Sequence, residues 1–161
     1  MILFHGSSQI VRTPLILNPN RTLDYGAGFY TTTSEQQAHD WALRRITGNK
    51  TGYVNIYEFD ETAAASVLKR LNFSNPPEED WVGFVYANRN QRGFTHDNDL
   101  VYGPVANDRV YAAFALFEQG LLNKQELIVE LKTYTLIDQM VFHTEVSLNY
   151  LKFIEAKEVQ L

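Results

Sequence analysis

Cysteine is absent from the 161 residues. That excludes disulfides, thiolate metal sites and a cysteine nucleophile. Long apolar runs are missing too, so no membrane span is expected. The N-terminus has no basic segment followed by a long apolar one, so no secretory leader is expected and a cytoplasmic location is the expectation. Basic residues are the minority: 14 Lys and Arg against 19 Asp and Glu leave a net charge of −5. That balance argues against an extended nucleic-acid-binding face. The histidines (5, 39, 96 and 143) have no zinc spacing, and no metal site is expected. There is no Gly-x-Ser-x-Gly elbow, no Walker lysine, no repeat and no low-complexity segment.

What is present is a well-stocked core. The hydrophobic fraction is 45% and the aromatic fraction 13%, enough for one globular domain spanning residues 1–161. Residues 1–5 read as a strand, and 6–24 as a loop broken by Pro14 and Pro19. Gly28 to Thr32 reads as a strand edge. Ser34 and Gln37 suggest a capping box, opening a helix that carries Ala38, Trp41, Ala42 and Ile46 at helical spacing and ends at Gly48. Tyr53 to Phe59 alternates like a strand. Residues 61–77 are ambiguous. Acids at 78–80 open a helix with Trp81, Phe84, Val85 and Asn88 on one face. Asp99 to Tyr102 reads as a strand, 109–118 and 124–132 as helices, 139–142 as a strand and 145–150 as a short helix. Strands and helices mix without βαβ alternation, so the expected class is α+β.

Two short motifs carry the chemistry. His5-Gly6-Ser7 closes the first apolar run. A lone histidine there is more often structural, but the adjoining glycine lets a ligand approach the backbone. Gly26-Ala27-Gly28 alone is a tight turn, and it lacks the third glycine of a dinucleotide fingerprint. Its sequel Phe29-Tyr30 gains weight because an extended strand sends these two rings to opposite faces. One is expected in the core and the other at a cleft.

Together, His5-Gly6-Ser7, Gly26-Ala27-Gly28-Phe29-Tyr30 and the helix bearing Ala38 and Trp41-Ala42 resemble the first two motifs of the ADP-ribosyltransferase superfamily, in its histidine–tyrosine variant. The chain is also similar to an uncharacterised bacterial family of small standalone proteins of this type. That likeness runs through Asp24 to Tyr30, Asn88-Arg89, Asp99 to Asp108 and Gln139 to Thr144.

The resemblance implies a split, two-sheet β core flanked by helices, with NAD as co-substrate and no metal. It implies binding by His5, Gly6, Ser7, Gly28, Tyr30 and Arg89. His5 would hold a ribose hydroxyl, Gly6 the nicotinamide carboxamide, and Tyr30 would stack on the ring. It also implies catalytic roles for His5, Tyr30 and Gln139, the last where the superfamily has a glutamate. A glutamine there can hydrogen-bond but supplies no charge. Glu145, Asp99 and Asp108 are rival acids, each with a capping, turn or surface role as the simpler reading. The implied activity is mono-ADP-ribosyl transfer to an unidentified acceptor, with a toxin role and an antitoxin partner as a family-level expectation. Binding of NAD or ADP-ribose, or of a protein partner, without catalysis and NAD hydrolysis are the alternatives.

Overall fold

A computed structural model describes residues 1–18, 22–48 and 51–160. Pro19, expected as a loop breaker, lies outside the described residues. The described residues form a mixed α+β arrangement of two sheets and six helices. The first sheet has the order β1 (Ile2–Ser7), β3 (Gly52–Phe59), β7 (Leu151–Val159), all antiparallel. The second has the order β2 (Phe29–Thr31), β6 (Asp138–Phe142), β5 (Leu100–Pro104), β4 (Arg70–Asn72). Only the β4–β5 pair in it is parallel.

Strand alternation divides the core into three layers. Leu3, Tyr57 and Phe59 of the first sheet meet Phe29, Leu100, Met140 and Phe142 of the second, forming the layer between the sheets. The outer face of the first sheet, with Val54 and Ile56, is covered by Ala38 and Ala42 of α1 (Glu35–Leu43). The outer face of the second, with Val101 and Val141, is covered by α3 (Glu79–Asn90), α4 (Asp108–Glu118) and α5 (Lys124–Leu131) through Trp81, Val85, Phe114 and Leu127. Two short helices, α2 (Glu61–Ala64) and α6 (Glu145–Leu148), follow β3 and β6.

The local expectations hold with instructive departures. Ser34 caps α1 by accepting from the Gln37 N–H at 3.1 Å. The helix ends at Leu43 rather than at Gly48, so Ile46 packs from the turn after it. In β3 the alternation breaks. Four successive residues, Val54 to Tyr57, are buried, because β3 is the central strand and a bulge falls between Ile56 and Tyr57. Asn55 is tolerated there because its side chain is paired: Oδ1 accepts from the Val11 N–H (2.7 Å) and Nδ2 donates to the Gln9 carbonyl (3.1 Å). The ambiguous stretch 61–77 contains α2 and β4. The longest strand, β7, was not expected, since its mixed charged and apolar residues form a half-exposed edge. No helix among the described residues is long and apolar enough to cross a membrane.

Candidate functional site

The two sheets touch through their edge strands, and the site lies where those edges part. Phe4 of β1 and Thr32, just after β2, form one antiparallel bridge, with N–H to O distances of 2.9 and 3.0 Å. Backbone groups in an antiparallel ladder turn alternately to one neighbour and the other. Phe4 turns away from β3 to reach Thr32, so Gly6, two residues on, turns the same way. By the same parity Tyr30, two residues before Thr32, faces Gly6. No bond joins them. The His5 ring stands in the gap instead, and its Nδ1–H donates to the Tyr30 carbonyl at 2.7 Å. The Gly6 N–H, the Gly6 C=O and the Tyr30 N–H are left without a partner among the described residues. Gly6 is buried, so its two groups need a ligand or water to offset their desolvation.

His5 is held by packing as well as by its hydrogen bond. Its ring lies 4.4 Å from that of Phe29, on the face between the sheets. Burial lowers its pKa to about 4, against the opposing bond to Tyr30 and with help from Arg45. The ring is therefore neutral near pH 7, and with Nδ1 carrying the proton, Nε2 is an acceptor suited to a hydroxyl.

Gly6 has no room for a side chain. An added Cβ would lie 2.0 Å from the Ala38 carbonyl oxygen and 2.7 Å from the Ala42 nitrogen. Helix α1 thus packs directly on the β1 backbone and fixes the Gly6 peptide groups at the split. Gly28 makes the matching approach to β6: its Cβ would meet the Phe142 oxygen at 2.8 Å and the Val141 Cγ1 at 2.7 Å. Ser7 caps its own turn, accepting from the Gln9 N–H at 3.2 Å.

Phe29 and Tyr30 part as expected. Phe29 is in the layer between the sheets, while Tyr30 is half-buried against the helix-covered layer. The Tyr30 hydroxyl donates to the Gly26 carbonyl (2.6 Å) and accepts from the Tyr25 N–H (3.2 Å). Burial pushes its pKa far up, so it stays a phenol. The glycine turn is braced again by His143, whose Nδ1–H donates to the Ala27 carbonyl at 2.7 Å. The His143 ring lies 4.4 Å from His96, and burial lowers its pKa to about 4.

Gln139 lies at the head of β6. It was expected at the reacting centre, but it is 3% exposed and its amide donates to the Pro104 carbonyl at 3.3 Å. Tyr25 bonds to the same carbonyl and accepts from the Trp81 indole, so Gln139 belongs to a buried polar knot under the helices. Its neighbour Asp138 faces the other way. Its carboxylate accepts from Thr32 Oγ1, the Thr33 N–H and Oγ1, and the Tyr102 hydroxyl.

Arg89 is near the glycine turn but not free. Its guanidinium lies 3.9 Å from Asp24 and 3.7 Å from Glu118, over the rings of Tyr111 and Phe114. Its Nη1 is buried without a hydrogen-bond partner. Among the rival acids, Asp99 accepts from the Lys69 N–H and the Thr144 hydroxyl, both at 2.8 Å, which makes it a strand-end brace. Asp108 is exposed in the first turn of α4. Glu145 is exposed and lines a separate cavity of about 400 Å³ with Arg12, Pro14, Ile16 and Leu148. Sequence reading missed Asp24 and His143 as contributors, although both stand inside the blocks it quoted. Their signal was position next to the glycine turn, not residue type.

Neither the curated proteins nor the solved structures contain a significant match to the chain. Residues 1–153 match the family described as "Protein of unknown function (DUF3990)". Since that span takes in both edge strands, the glycine turn and β6, the chain belongs to this family throughout the region that builds the site.

Proposed function

We propose that the split between β1 and β2 binds NAD and that the protein is an NAD-dependent mono-ADP-ribosyltransferase with an ADP-ribosyltransferase-like fold. The observation that carries this reading is the pair of unpaired Gly6 main-chain groups beside a neutral His5. A donor and an acceptor on one buried residue complement a primary carboxamide, which offers one of each. A neutral imidazole with a lone pair on Nε2 complements a ribose hydroxyl. The half-buried Tyr30 ring, locked by its hydroxyl to the glycine turn, supplies a flat face at fixed orientation. Breaking the nicotinamide–ribose bond passes through an oxocarbenium-like state, which a rigid polar site stabilises without reorganising.

Isothermal titration with NAD, together with transfer of label from NAD into a cell lysate, tests the proposal. Saturable binding and incorporated label are expected, and both should be lost on His5→Ala. Absence of incorporated label from the unmodified protein, or unchanged label after that substitution, would sink the transferase reading. A second reading, binding of NAD or ADP-ribose without catalysis, draws support from the burial of Gln139. It predicts binding with no release of nicotinamide. Free ADP-ribose as the sole product would point instead to NAD hydrolysis. A cytosolic toxin with an antitoxin partner remains part of this proposal on the resemblance alone.

A further inference from the structure

We propose that β7 pairs antiparallel with β7 of a second copy of the chain, joining two three-stranded sheets into one across a two-fold axis. The split at β1 is not involved, because β1 and β7 are opposite edges of the same sheet.

β7 is the longest strand, and one of its edges is bare. It bonds β3 along one side, and no backbone group among the described residues bonds the other. The Asp60 N–H donates to the Tyr150 carbonyl at 3.0 Å, so Tyr150 and, two residues on, Lys152 turn toward β3. Phe4 turns away from β3, so Ile56 opposite it turns to β7, and Glu155 opposite Ile56 turns back to β3. Leu151, Phe153 and Ala156 therefore point their main-chain groups outward. Ile154 is the extra residue of the bulge, since Ile56 opposes Glu155 and Tyr57 opposes Phe153.

The bulge decides the side-chain pattern. Phe153 packs between the sheets against Tyr57, so Lys152 beside it lies on the face that α1 covers. Lys157 is on that face too, bonded to Glu35 at 2.6 Å, and Glu155, two residues before it, shares the face. In an unbroken strand positions 152 and 155 would face opposite ways, and the extra residue brings them to one face. Both are exposed, and neither makes a hydrogen bond or ion pair among the described residues. Ile154 between them is 48% exposed. Lys152-Phe153-Ile154-Glu155 is thus complementary to itself when reversed. In the antiparallel register that sets Lys152 opposite Glu155 of the second copy, Phe153 falls opposite Ile154 and Leu151 opposite Ala156. Leu151 and Ala156 both point outward and form the hydrogen-bonded pair. Lys152 and Glu155 form the non-bonded pair, where side chains approach more closely. Each contact occurs twice by symmetry. Charges of one sign along an edge repel a second copy, whereas opposite charges in this order favour it.

Sedimentation velocity of the full chain over a concentration series tests the pairing. A reversible dimer of twice the 18.5 kDa chain mass is expected. Lys152→Glu sets like charges opposite each other twice and should weaken the dimer about tenfold or more. Glu155→Lys should do the same. An equimolar mixture of the two variants restores both contacts, and a dimer with one copy of each should return. The double variant Lys152→Glu/Glu155→Lys is again self-complementary and should dimerise within about threefold of the unmodified protein. Without any variant, amide exchange at Leu151 and Ala156 should slow as concentration rises, which keeps the test open should a single variant fail to fold. A chain that stays monomeric up to about 1 mM overturns the proposal and leaves the edge to a strand of a different protein. A dimer that withstands Lys152→Glu, or that neither the mixture nor the double variant restores, overturns it too. So does a dimer that leaves exchange at Leu151 and Ala156 unchanged, because its contact lies elsewhere.

Discussion

The His5 imidazole donates its Nδ1–H to the main-chain oxygen of Tyr30 across 2.7 Å, and this bond spans the place where two sheets separate. One bridge earlier, Phe4 and Thr32 are still paired backbone to backbone. The histidine therefore takes over from the ladder at the point where the ladder stops, and it keeps the two edges at a fixed spacing with the Gly6 groups open between them.

That role has a pH signature. The folded-state pKa of His5 is lowered from 6.5 to about 4 by burial, so the unfolded chain takes up a proton more readily than the folded one. The stabilisation it reflects is complete above pH 6.5 and is lost as pH falls from there toward 4. NAD affinity, which follows the folded-state pKa, should be level from pH 8 to about 5 and weaken as pH approaches 4, where the proton blocks the Nε2 acceptor. Calorimetric titrations across this range check it. His5→Gln should flatten the component due to His5, leaving that of His143, whose pKa is lowered in the same direction.

Gly6→Ala tests the close approach of α1. The new methyl would meet helix backbone rather than a side chain that could swing away, with the nearest atom at 2.0 Å. Strand and helix must separate, at a cost of about 3 kcal/mol or more. Urea denaturation should show a clearly lower midpoint with little change in slope. An unchanged midpoint would mean that α1 does not pack on Gly6.

Tyr30→Phe separates the ring from its hydroxyl. The substitution leaves the Gly26 carbonyl and the Tyr25 N–H without their partner at a cost of about 1–2 kcal/mol. The ring stays on the same strand. Amide hydrogen exchange at residues 25–28 should speed up, while NAD affinity changes by less than loss of the ring in Tyr30→Ala. Equal losses in both variants would show that the hydroxyl itself contacts the ligand.

Much of this arrangement could be read from residue pattern, and what could not has physical causes. The opposite facing of Phe29 and Tyr30, the Ser34 cap and the α+β class follow from local periodicity and capping chemistry, which the structure repeats. The end of α1 does not, because Ile46 keeps helical spacing in a turn that is no longer helical. The partnership of His5 with Tyr30 spans 25 residues and depends on where two edge strands diverge, which no local pattern encodes. The burial of Gln139 is equally non-local. A glutamine at a strand head reads as a surface or site residue until Tyr25, Trp81 and Pro104 are seen to enclose it.

Gln139→Glu distinguishes a buried prop from a displaced catalytic position. In the enclosed setting the new carboxylate would face the lone pairs of the Pro104 carbonyl, with little water to solvate it. Burial would raise its folded-state pKa above the ordinary value of about 4.3 for a glutamate. A carboxyl raised on folding is tolerated below its unfolded pKa and costs stability as pH rises through that range. The variant should therefore match the unmodified protein near pH 4 and fall short of it by about 2–4 kcal/mol at pH 7. Nicotinamide release should not increase. Urea midpoints at the two pH values, read beside a release assay, check both halves. Equal midpoints at pH 7 together with faster release would place position 139 at the reacting ribose.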